Sequence, residues 1–293
     1  MILVGVLIAI TVILWSSAFV AIGLLVETMH PVTLAAFRFL VASICLLPVA
    51  MRSWRPSHAT KASPMGKTTL ILSLAGAGVT GIFGYNILLN SGQMQVDPAT
   101  ASLIVNIVPV LTYLFCCLLG LDRFVPVKLA ALAVCLGGVG LVIVSPLEGV
   151  PDWSFSGLLI FGAAICQALY FIFVRSLLGN LSPEIVTVIA VWLGTLLLVP
   201  FALSDMWQHQ LTTNEILLLL YLGIGPTAIG FLCWSIVLRH ITASAASSFL
   251  FLVPLSSLLL AWGLLDRIPP AISFVGGCIV LTGLWMFHIG KRN

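Results

Sequence analysis

Residues 101–126 read ASLIVNIVPVLTYLFCCLLGLDRFVP, and the same pattern returns at residues 246–270, which read ASSFLFLVPLSSLLLAWGLLDRIPP. Both copies open with Ala-Ser, place Val-Pro near the middle and end in Leu-Asp-Arg, with 145 residues separating Pro109 from Pro254. A proline inside a helix removes one backbone hydrogen bond and exposes the carbonyl four residues earlier, here that of Val105 or Leu250. Two broken helices at corresponding places are typical of secondary transporters.

The composition predicts an integral membrane protein. Of the 293 residues, 61% are hydrophobic and only 7% are charged, whereas soluble domains carry roughly 25% charged residues. The sequence holds no basic cluster of the kind that contacts nucleic acid, so the expected partners are a lipid bilayer and a small molecule. The N-terminal run Met1–Val26 lacks a basic leader and a small-residue cleavage site, which favours a first membrane span over a signal peptide.

The cysteines point to neither a metal site nor a cofactor. All of them lie inside apolar runs, and their spacings match no metal-ligand pattern. We expect small buried side chains. The seven are Cys45, Cys116, Cys117, Cys135, Cys166, Cys233 and Cys278.

Ten segments are long and apolar enough to cross a bilayer, which takes about 20 residues. Most connections between them are short, so we predict an all-α integral membrane bundle of ten transmembrane helices without a soluble domain. The predicted spans are 3–25, 31–51, 69–92, 99–121, 127–145, 154–175, 183–203, 214–238, 243–264 and 270–290.

The loops between these spans differ in charge, and basic residues near span ends stay on the cytoplasmic side. One set of loops carries ten Lys and Arg residues, whereas the other carries only Arg267. We therefore predict a protein of the cell's inner, cytoplasmic membrane with both termini in the cytoplasm. The ten basic residues are Arg52, Arg55, Lys61, Lys67, Arg123, Lys128, Arg175, Arg239, Lys291 and Arg292.

The two copies of the opening pattern are separated by an odd number of spans, so the second copy must cross the membrane in the opposite direction. We predict an inverted repeat of two five-helix halves, residues 1–145 and 154–290, related by a pseudo-two-fold axis in the membrane plane. The pairing extends to the prolines, because Pro31 and Pro48 have the same spacing in the second span as Pro183 and Pro200 in the seventh.

These residues together resemble a known family. The pattern is similar to that of EamA-type members of the drug/metabolite transporter superfamily, over nearly the whole chain. Where family members usually carry Glu-Arg, this sequence carries Asp-Arg at residues 122–123 and 266–267. The resemblance implies ten helices and export of small metabolites, including amino acids and drug-like compounds. It is carried by Trp15-Ser16-Ser17-Ala18-Phe19, by Pro31 with Ala35-Ala36-Phe37-Arg38-Phe39, and by the Ala-Ser, Pro and Asp-Arg pattern of both halves.

Polar side chains at helical spacing indicate a candidate substrate cavity, because a polar group that faces lipid is costly. Amides can hold a polar head group and aromatic rings an apolar body. Hydrogen bonding between helices is the second interpretation of the same residues. The candidate cavity residues are Trp15, Ser16, Tyr85, Asn86, Asn90, Ser102, Asn106, Tyr113, Gln167, Tyr170, Trp192, Ser244 and Ser247.

Prolines and glycines mark positions where helices could bend. Pro109 and Pro254 are predicted gating hinges of the two halves, and static kinks for packing are the alternative. Glycines also cluster at residues 76–84 in the third span and at residues 223–230 in the eighth. Close helix packing is the favoured interpretation of these glycines, and bending is the second.

Arg38 is the only charged residue deep inside a predicted span, about 10 Å from the start of its helix by helical rise. It could pair with Glu27 or Asp97, or it could hold an anionic group of a substrate. Because Arg38 belongs to a motif shared by exporters of varied substrates, we favour the pairing.

The favoured function is a secondary transporter that exports small amphipathic metabolites by alternating access. A carrier of anionic, nucleotide-linked substrates is one alternative, although it calls for several cavity cations where only Arg38 is present. An intramembrane enzyme is an alternative of another class, but the sequence lacks zincin, nucleophile-elbow and P-loop patterns. A third alternative, a membrane scaffold, does not explain the inverted repeat.

Overall fold

The computed structural model describes residues 2–53, 65–96, 98–144, 155–265 and 271–289, and every regular element in these ranges is helical. The expectations that involve Asp97, Asp266, Arg267 and the loop of residues 54–64 fall outside the described residues. The α-helices are α1 Ile2–Leu25, α2 Pro31–Cys45, α3 Leu47–Ser53, α4 Lys67–Ala77, α5 Tyr85–Gln93, α6 Pro98–Val105, α7 Val108–Leu118, α8 Pro126–Val144, α9 Phe155–Leu177, α10 Pro183–Gln208, α11 Thr213–Leu222, α12 Gly230–His240, α13 Ala243–Ser248, α14 Leu252–Leu265 and α15 Ala271–Ile289.

Eight helical stretches of the described chain are long and apolar enough to cross a membrane. A ninth is obtained when α2 and α3, which meet at a bend of 41°, are counted as one span. Pro48 is the second residue of α3 and explains the bend, because its ring is incompatible with an uninterrupted helix. The apolar stretch Pro126–Val142 of α8 coincides with the fifth predicted span.

Two of the long helices contain a π-helical turn. Gly78–Gly84 joins α4 to α5, and Gly223–Ile229 joins α11 to α12. The two turns lie 145 residues apart, which is the offset of the sequence repeat. π-Helical turns are rare and frequently mark functional sites. The structure thus places an irregular turn in the third and eighth predicted spans, at the glycine clusters of the sequence.

The helices that carry Pro109 and Pro254 are both interrupted just before the proline. The chain leaves α-helical geometry between Val105 and Val108 in the first copy. In the second copy a 3₁₀ turn, Phe249–Phe251, separates α13 from α14. A proline close to the start of the following helix cannot donate to the carbonyl four residues earlier, so the interruption falls where the sequence predicts it.

The chain divides into two compact units, and each contains segments from both sequence halves. Unit 1 comprises Met1–Ile87 and Leu169–Ile241, and unit 2 comprises Leu88–Ala168 and Thr242–Asn293. The packing units therefore differ from the predicted halves, residues 1–145 and 154–290, which describe equivalence in sequence.

In unit 2, α8 packs against α15 through small residues. A Cβ atom at Gly138 would lie 2.8 Å from the carbonyl oxygen of Gly276, and one at Gly283 would lie 2.9 Å from that of Ala131. The contacting residue numbers rise along α8 as they fall along α15, so the two helices are antiparallel. Close approach of backbones through glycine is a common way to pack helices in membranes.

In unit 1, α2 packs against α10 through polar contacts. The Thr33 hydroxyl donates to the Asp205 carboxylate at 2.5 Å, and the Ser43 hydroxyl donates to that of Thr195 at 3.1 Å. These pairs again run in opposite directions along the two helices. Thr195 and Thr33 are fully buried, so their hydroxyls need such partners.

Candidate functional site

An aromatic cluster fills the interior of unit 1. We use this name for six residues from four helices, whose ring centroids lie 5.1 to 6.2 Å from their neighbours in the cluster. At these distances edge-to-face and tilted ring pairs are favourable. Most of the rings are buried, and Trp15 is half-buried. The cluster consists of Trp15 of α1, Phe39 of α2, Tyr170 and Phe171 of α9, and Phe231 and Trp234 of α12.

The cluster is tied to one of the π-helical turns. The indole Nε1 of Trp15 donates a hydrogen bond to the carbonyl oxygen of Pro226 at 3.0 Å, and Pro226 lies inside the turn Gly223–Ile229. A π-helical turn leaves carbonyl groups without the usual intrahelical donor. The predicted cavity residue Trp15 therefore supplies a donor to the irregular backbone of the eighth predicted span.

Arg38 lies at one edge of this cluster. Its guanidinium carbon is 4.6 Å from the centroid of the Phe39 ring, and Tyr85 of α5 lies close enough to interact with it electrostatically. A cation over an aromatic face is attracted by the negative face of the ring. Arg38 thus contacts the aromatic cluster through Phe39 and lies near the phenol of Tyr85.

The predicted pairing of Arg38 with Glu27 is wrong. Among the described residues no carboxylate lies within ion-pair distance of Arg38, and its buried Nε has no hydrogen-bond partner there. Glu27 is exposed in the turn that follows α1, where water solvates the carboxylate and removes the gain from a buried pair. Asp97, the other predicted partner, lies outside the described residues. An uncompensated charge at this depth costs roughly 3 kcal/mol on insertion scales.

Other candidates of unit 1 have local partners. Asn86 is buried, and its Nδ2 donates to the carbonyl oxygen of Ile82, within the first π-helical turn, at 2.6 Å. The Ser16 hydroxyl donates to the Val12 carbonyl at 2.6 Å, one turn earlier on α1. Trp192 donates from Nε1 to the Ser43 carbonyl at 3.0 Å and so joins α10 to α2. Ser16 and Trp192 therefore contribute to helix structure and packing.

Three of the predicted cavity residues in unit 2 carry side-chain amides. Asn106, at the interruption between α6 and α7, donates from Nδ2 to the Ser102 carbonyl at 2.7 Å. Gln167 of α9 is buried, and its Oε1 accepts no hydrogen bond within the described chain. Asn90 is also buried, on the same face of α5 as Asn86 by helical spacing. Asn90 and Gln167 are thus buried and Asn106 is half-buried, and their place in a substrate cavity stays a prediction.

Tyr113 and Ser244 hold the segment that follows α7. The Tyr113 hydroxyl accepts from the Val125 amide at 2.7 Å, and its own proton can reach the carbonyl oxygen of Val125 at 3.2 Å. The Ser244 hydroxyl donates to the carboxylate of Asp122, and Ser247 donates to the Ser244 carbonyl at 3.1 Å. Asp122 of the first Asp-Arg motif thus has a structural partner in unit 2, which the sequence alone did not indicate.

Sequence reasoning did not select Phe39, Phe171 and Phe231 for the site. Phe39 belongs to the motif that carries Arg38, and Phe231 stands three residues before Trp234 on α12. The i, i+3 spacing of Phe231 and Trp234 is a signal for a shared face, whereas no such spacing marks Phe39. Within the described chain no group of His, Cys, Asp and Glu is placed to hold a metal ion. In unit 1 the site combines the aromatic cluster, the buried amide of Asn86 and the guanidinium of Arg38, which are groups suited to ligand binding.

Apolar helices of membrane-crossing length define an integral membrane protein. The chain belongs to the EamA-like transporter family, whose model matches residues 3–144 and again residues 154–289. Two matches of one model give the chain a two-repeat architecture.

Relatives with descriptive names cover almost the whole chain. A probable terminal-alkyne amino-acid exporter of Streptantibioticus cattleyicolor is 29% identical, over 97% of this chain and 93% of the relative. A probable amino-acid metabolite efflux pump of Escherichia coli K12 is 25% identical, over 98% of this chain and 95% of the relative. A solved crystal structure superposes with a TM-score of 0.82 at 19% identity and covers 99% of both chains, which establishes the shared fold.

Proposed function

We propose that this protein exports small amphipathic metabolites, such as amino acids or drug-like compounds, across the cytoplasmic membrane by alternating access. The observation that carries the proposal is the aromatic cluster with Arg38 at its edge, inside a chain of a transporter family. An aromatic surface suits the apolar part of such a molecule, and a guanidinium with buried amides suits its polar part. The names of the two relatives, an amino-acid exporter and an efflux pump, support this class of substrate.

The proposal includes ten transmembrane helices in two oppositely oriented halves, residues 1–145 and 154–290. Support comes from the packing of α8 against α15, since these helices are the fifth and tenth predicted spans. The two contacts, Gly138 with Gly276 and Ala131 with Gly283, are exchanged when residues 145 apart are interchanged, which is within one residue of the offset of 144 between Pro126 and Pro270. Equivalent helices that run antiparallel are what an inverted repeat requires.

Alternating access needs elements that change shape within an otherwise packed bundle. The interruptions before Pro109 and Pro254 and the two π-helical turns provide four irregular positions, two in each half. Such positions absorb changes in backbone angles more readily than regular helices. They support Pro109 and Pro254 as hinges and add the two π-helical turns as further candidates.

Transport itself can be tested with purified protein in liposomes. Vesicles are preloaded with one unlabelled amino acid, and the entry of its labelled form is followed across a panel of amino acids. We expect at least one amino acid to exchange well above the rate of protein-free liposomes. Exchange at the protein-free rate for the whole panel would contradict the amino-acid proposal.

The orientation is tested separately. On a background without native cysteines, a cysteine in place of His58 should react with an impermeant maleimide only from the cytoplasmic side, because the flanking Arg and Lys residues are retained there. A cysteine at Glu148 serves as the matched reporter for the opposite side. Labelling of position 58 from outside would reverse the proposed topology.

A further inference from the structure

We propose that Arg38 binds the carboxylate of the transported molecule while the neighbouring aromatic cluster contacts its apolar part. This assignment rests on the proposed function and narrows its substrates to small monocarboxylates with an apolar or aromatic side chain. Amino acids are one member of that class.

Arg38 has hydrogen-bond donors without acceptors among the described residues. No hydrogen bond or ion pair joins its guanidinium to any of the described residues, and its buried Nε lacks an acceptor. A guanidinium carries five N–H donors in a planar fork that matches a carboxylate. A ligand carboxylate would satisfy donors that the described chain leaves without acceptors.

The guanidinium of Arg38 lies against an aromatic ring. The guanidinium carbon lies over the Phe39 ring, 4.6 Å from its centroid. A ring contact attracts the charge but supplies no oxygen acceptor to the N–H groups. These donors can therefore serve a bidentate contact with a carboxylate. The phenol of Tyr85, which is half-buried beside Arg38, offers one more donor.

Phe39 connects Arg38 to the apolar surface of the aromatic cluster. Phe39 contacts Phe231 at 6.2 Å between centroids, and Phe231 contacts Trp15 at 5.8 Å. Trp15 is half-buried, so part of its ring is accessible. A molecule with its carboxylate on Arg38 can thus reach aromatic surface through its apolar part.

Arg38 differs in position from the other cationic side chains described in unit 1. The other Lys and Arg residues described in unit 1 lie at helix ends: Arg52 in the last turn of α3, Lys67 at the start of α4, and Arg175 and Arg239 in the last turns of α9 and α12. One cation balances one carboxylate. A nucleotide or a diphosphate would need several cations in the same place.

The test compares amino acids with their carboxamides, which keep the side chain and the amine but lose the negative charge. L-phenylalanine and L-leucine are set against L-phenylalaninamide and L-leucinamide, as competitors of labelled amino-acid exchange in liposomes and as stabilisers of the detergent-purified protein. In the wild type we expect each acid to act at concentrations about 10-fold or more below its amide, since charge-assisted hydrogen bonds are strong.

Variants at Arg38 should remove this discrimination. Arg38→Gln should bring acid and amide within about 3-fold of each other, and Arg38→Lys should keep part of the preference, because a lysine retains the charge but not the planar fork. Arg175→Gln is the matched control: it also removes one cation, and Arg175 is half-buried in the last turn of α9, where Nη1 donates to the Arg239 carbonyl at 3.3 Å. This control should behave as the wild type does.

The outcomes separate the inference from the proposed function. If the wild type exchanges neither acids nor amides above protein-free liposomes, the proposed function fails and the inference fails with it. If the wild type exchanges them and Arg38→Gln still prefers acids about 10-fold, the inference alone is overturned. Should Arg38→Gln not fold, Arg38→Lys decides, and an unchanged acid preference in it overturns the assignment.

A lipid phosphate presents similar chemistry to a guanidinium. The competition is therefore repeated in liposomes of phosphatidylcholine alone and with added phosphatidylglycerol. We expect the acid preference to be equal in both. A preference that disappears when phosphatidylglycerol is added would assign Arg38 to a lipid head group and overturn the proposal.

Discussion

At the scale of single residues, Tyr113 illustrates a side chain whose hydroxyl holds backbone groups. It is fully buried, and it accepts a hydrogen bond from the Val125 amide at 2.7 Å. We expect Tyr113→Phe to lower the free energy of unfolding in detergent by about 1 kcal/mol, because the half-buried N–H group of Val125 loses its acceptor. Thermal or denaturant unfolding of the purified protein measures this.

The control for this prediction is Tyr221→Phe. Tyr221 is 40% exposed, and its hydroxyl is hydrogen-bonded to that of Ser17, so water can replace the lost contact. Its stability should change by less than about 0.5 kcal/mol. Equal losses in the two variants would contradict the structural role assigned to the Tyr113 hydroxyl.

The buried amides give a second prediction at this scale. Asn86→Leu and Asn106→Leu should reduce transport strongly, because each variant removes a polar group proposed to face the substrate, while leucine is well tolerated in a membrane. Size-exclusion chromatography verifies folding, and amino-acid exchange in liposomes measures activity. Exchange close to the wild-type rate in both folded variants would assign the amides to helix structure alone, in line with their bonds to Ile82 and Ser102.

Burial of single polar residues could be predicted from the sequence, whereas their contacts with distant residues could not. Polar spacing predicted buried amides on α5, and Asn86 and Asn90 are buried. Of the two predicted partners of Arg38, Glu27 is not paired with it, because proximity along the sequence does not determine which groups meet in space, and Asp97 lies outside the described residues. The aromatic cluster joins residues as far apart as Trp15 and Phe231, and a single sequence contains no signal for such a contact.

At the scale of helices, the packing of α8 against α15 gives the third prediction. We expect Gly138→Ala to destabilise the protein by about 1–3 kcal/mol, because the added methyl group meets the Gly276 carbonyl and the Val280 amide, each 2.8 Å from the new Cβ. Backbone atoms at this distance can be relieved only by moving the helices apart.

The adjacent glycine is the matched control. A Cβ atom at Gly137 has nothing within 4 Å, so Gly137→Ala should be neutral or slightly stabilising, since alanine favours helix more than glycine does. Unfolding midpoints of both variants in the same detergent provide the comparison. A Gly138→Ala midpoint equal to that of Gly137→Ala would contradict the close approach of α8 and α15.

Helix positions followed from the sequence because hydrophobic length and proline spacing determine them. The long apolar segments coincide with helices, and the interruptions fall next to Pro109 and Pro254. The π-helical turns were not predicted, since glycines at residues 78–84 are compatible with a regular helix, a bend or a π-helical turn. The choice depends on neighbours, such as α10 against the first turn, where Leu193 lies about 3.0 Å from a Cβ placed at Gly78.

At the scale of the whole molecule, sequence equivalence and spatial packing give different divisions of the chain. The repeat assigns residues 1–145 and 154–290 to two halves, whereas each compact unit draws on both halves. The repeat offset was readable because it leaves Val-Pro and Asp-Arg in register 144 or 145 residues apart. The two compact units could not be predicted from the sequence, because they depend on contacts between segments that are distant along the chain.

The inverted repeat leads to the last prediction, which concerns the balance between outward-facing and inward-facing states. Pro109 and Pro254 occupy equivalent positions in halves proposed to be oppositely oriented. Pro→Ala at either position returns an N–H group that can bond to the carbonyl of Val105 or Leu250, and this should straighten the interrupted helix. Because one hinge would serve the cytoplasmic side and the other the external side, the two variants should shift the balance in opposite directions.

The measurement uses a cysteine in place of Tyr85, a half-buried candidate cavity residue, on a background without native cysteines. Rates of reaction with an impermeant maleimide, added from each side of oriented vesicles, report the two states. Pro200→Ala is the control, because α10 continues as a helix through Pro200, and it should leave the ratio of rates unchanged. A population shifts only by the energy difference that a substitution creates between states, so a 10-fold change in the ratio corresponds to about 1.4 kcal/mol. Shifts of the same sign in Pro109→Ala and Pro254→Ala, or no shift in either, would mean that the interruptions are static kinks.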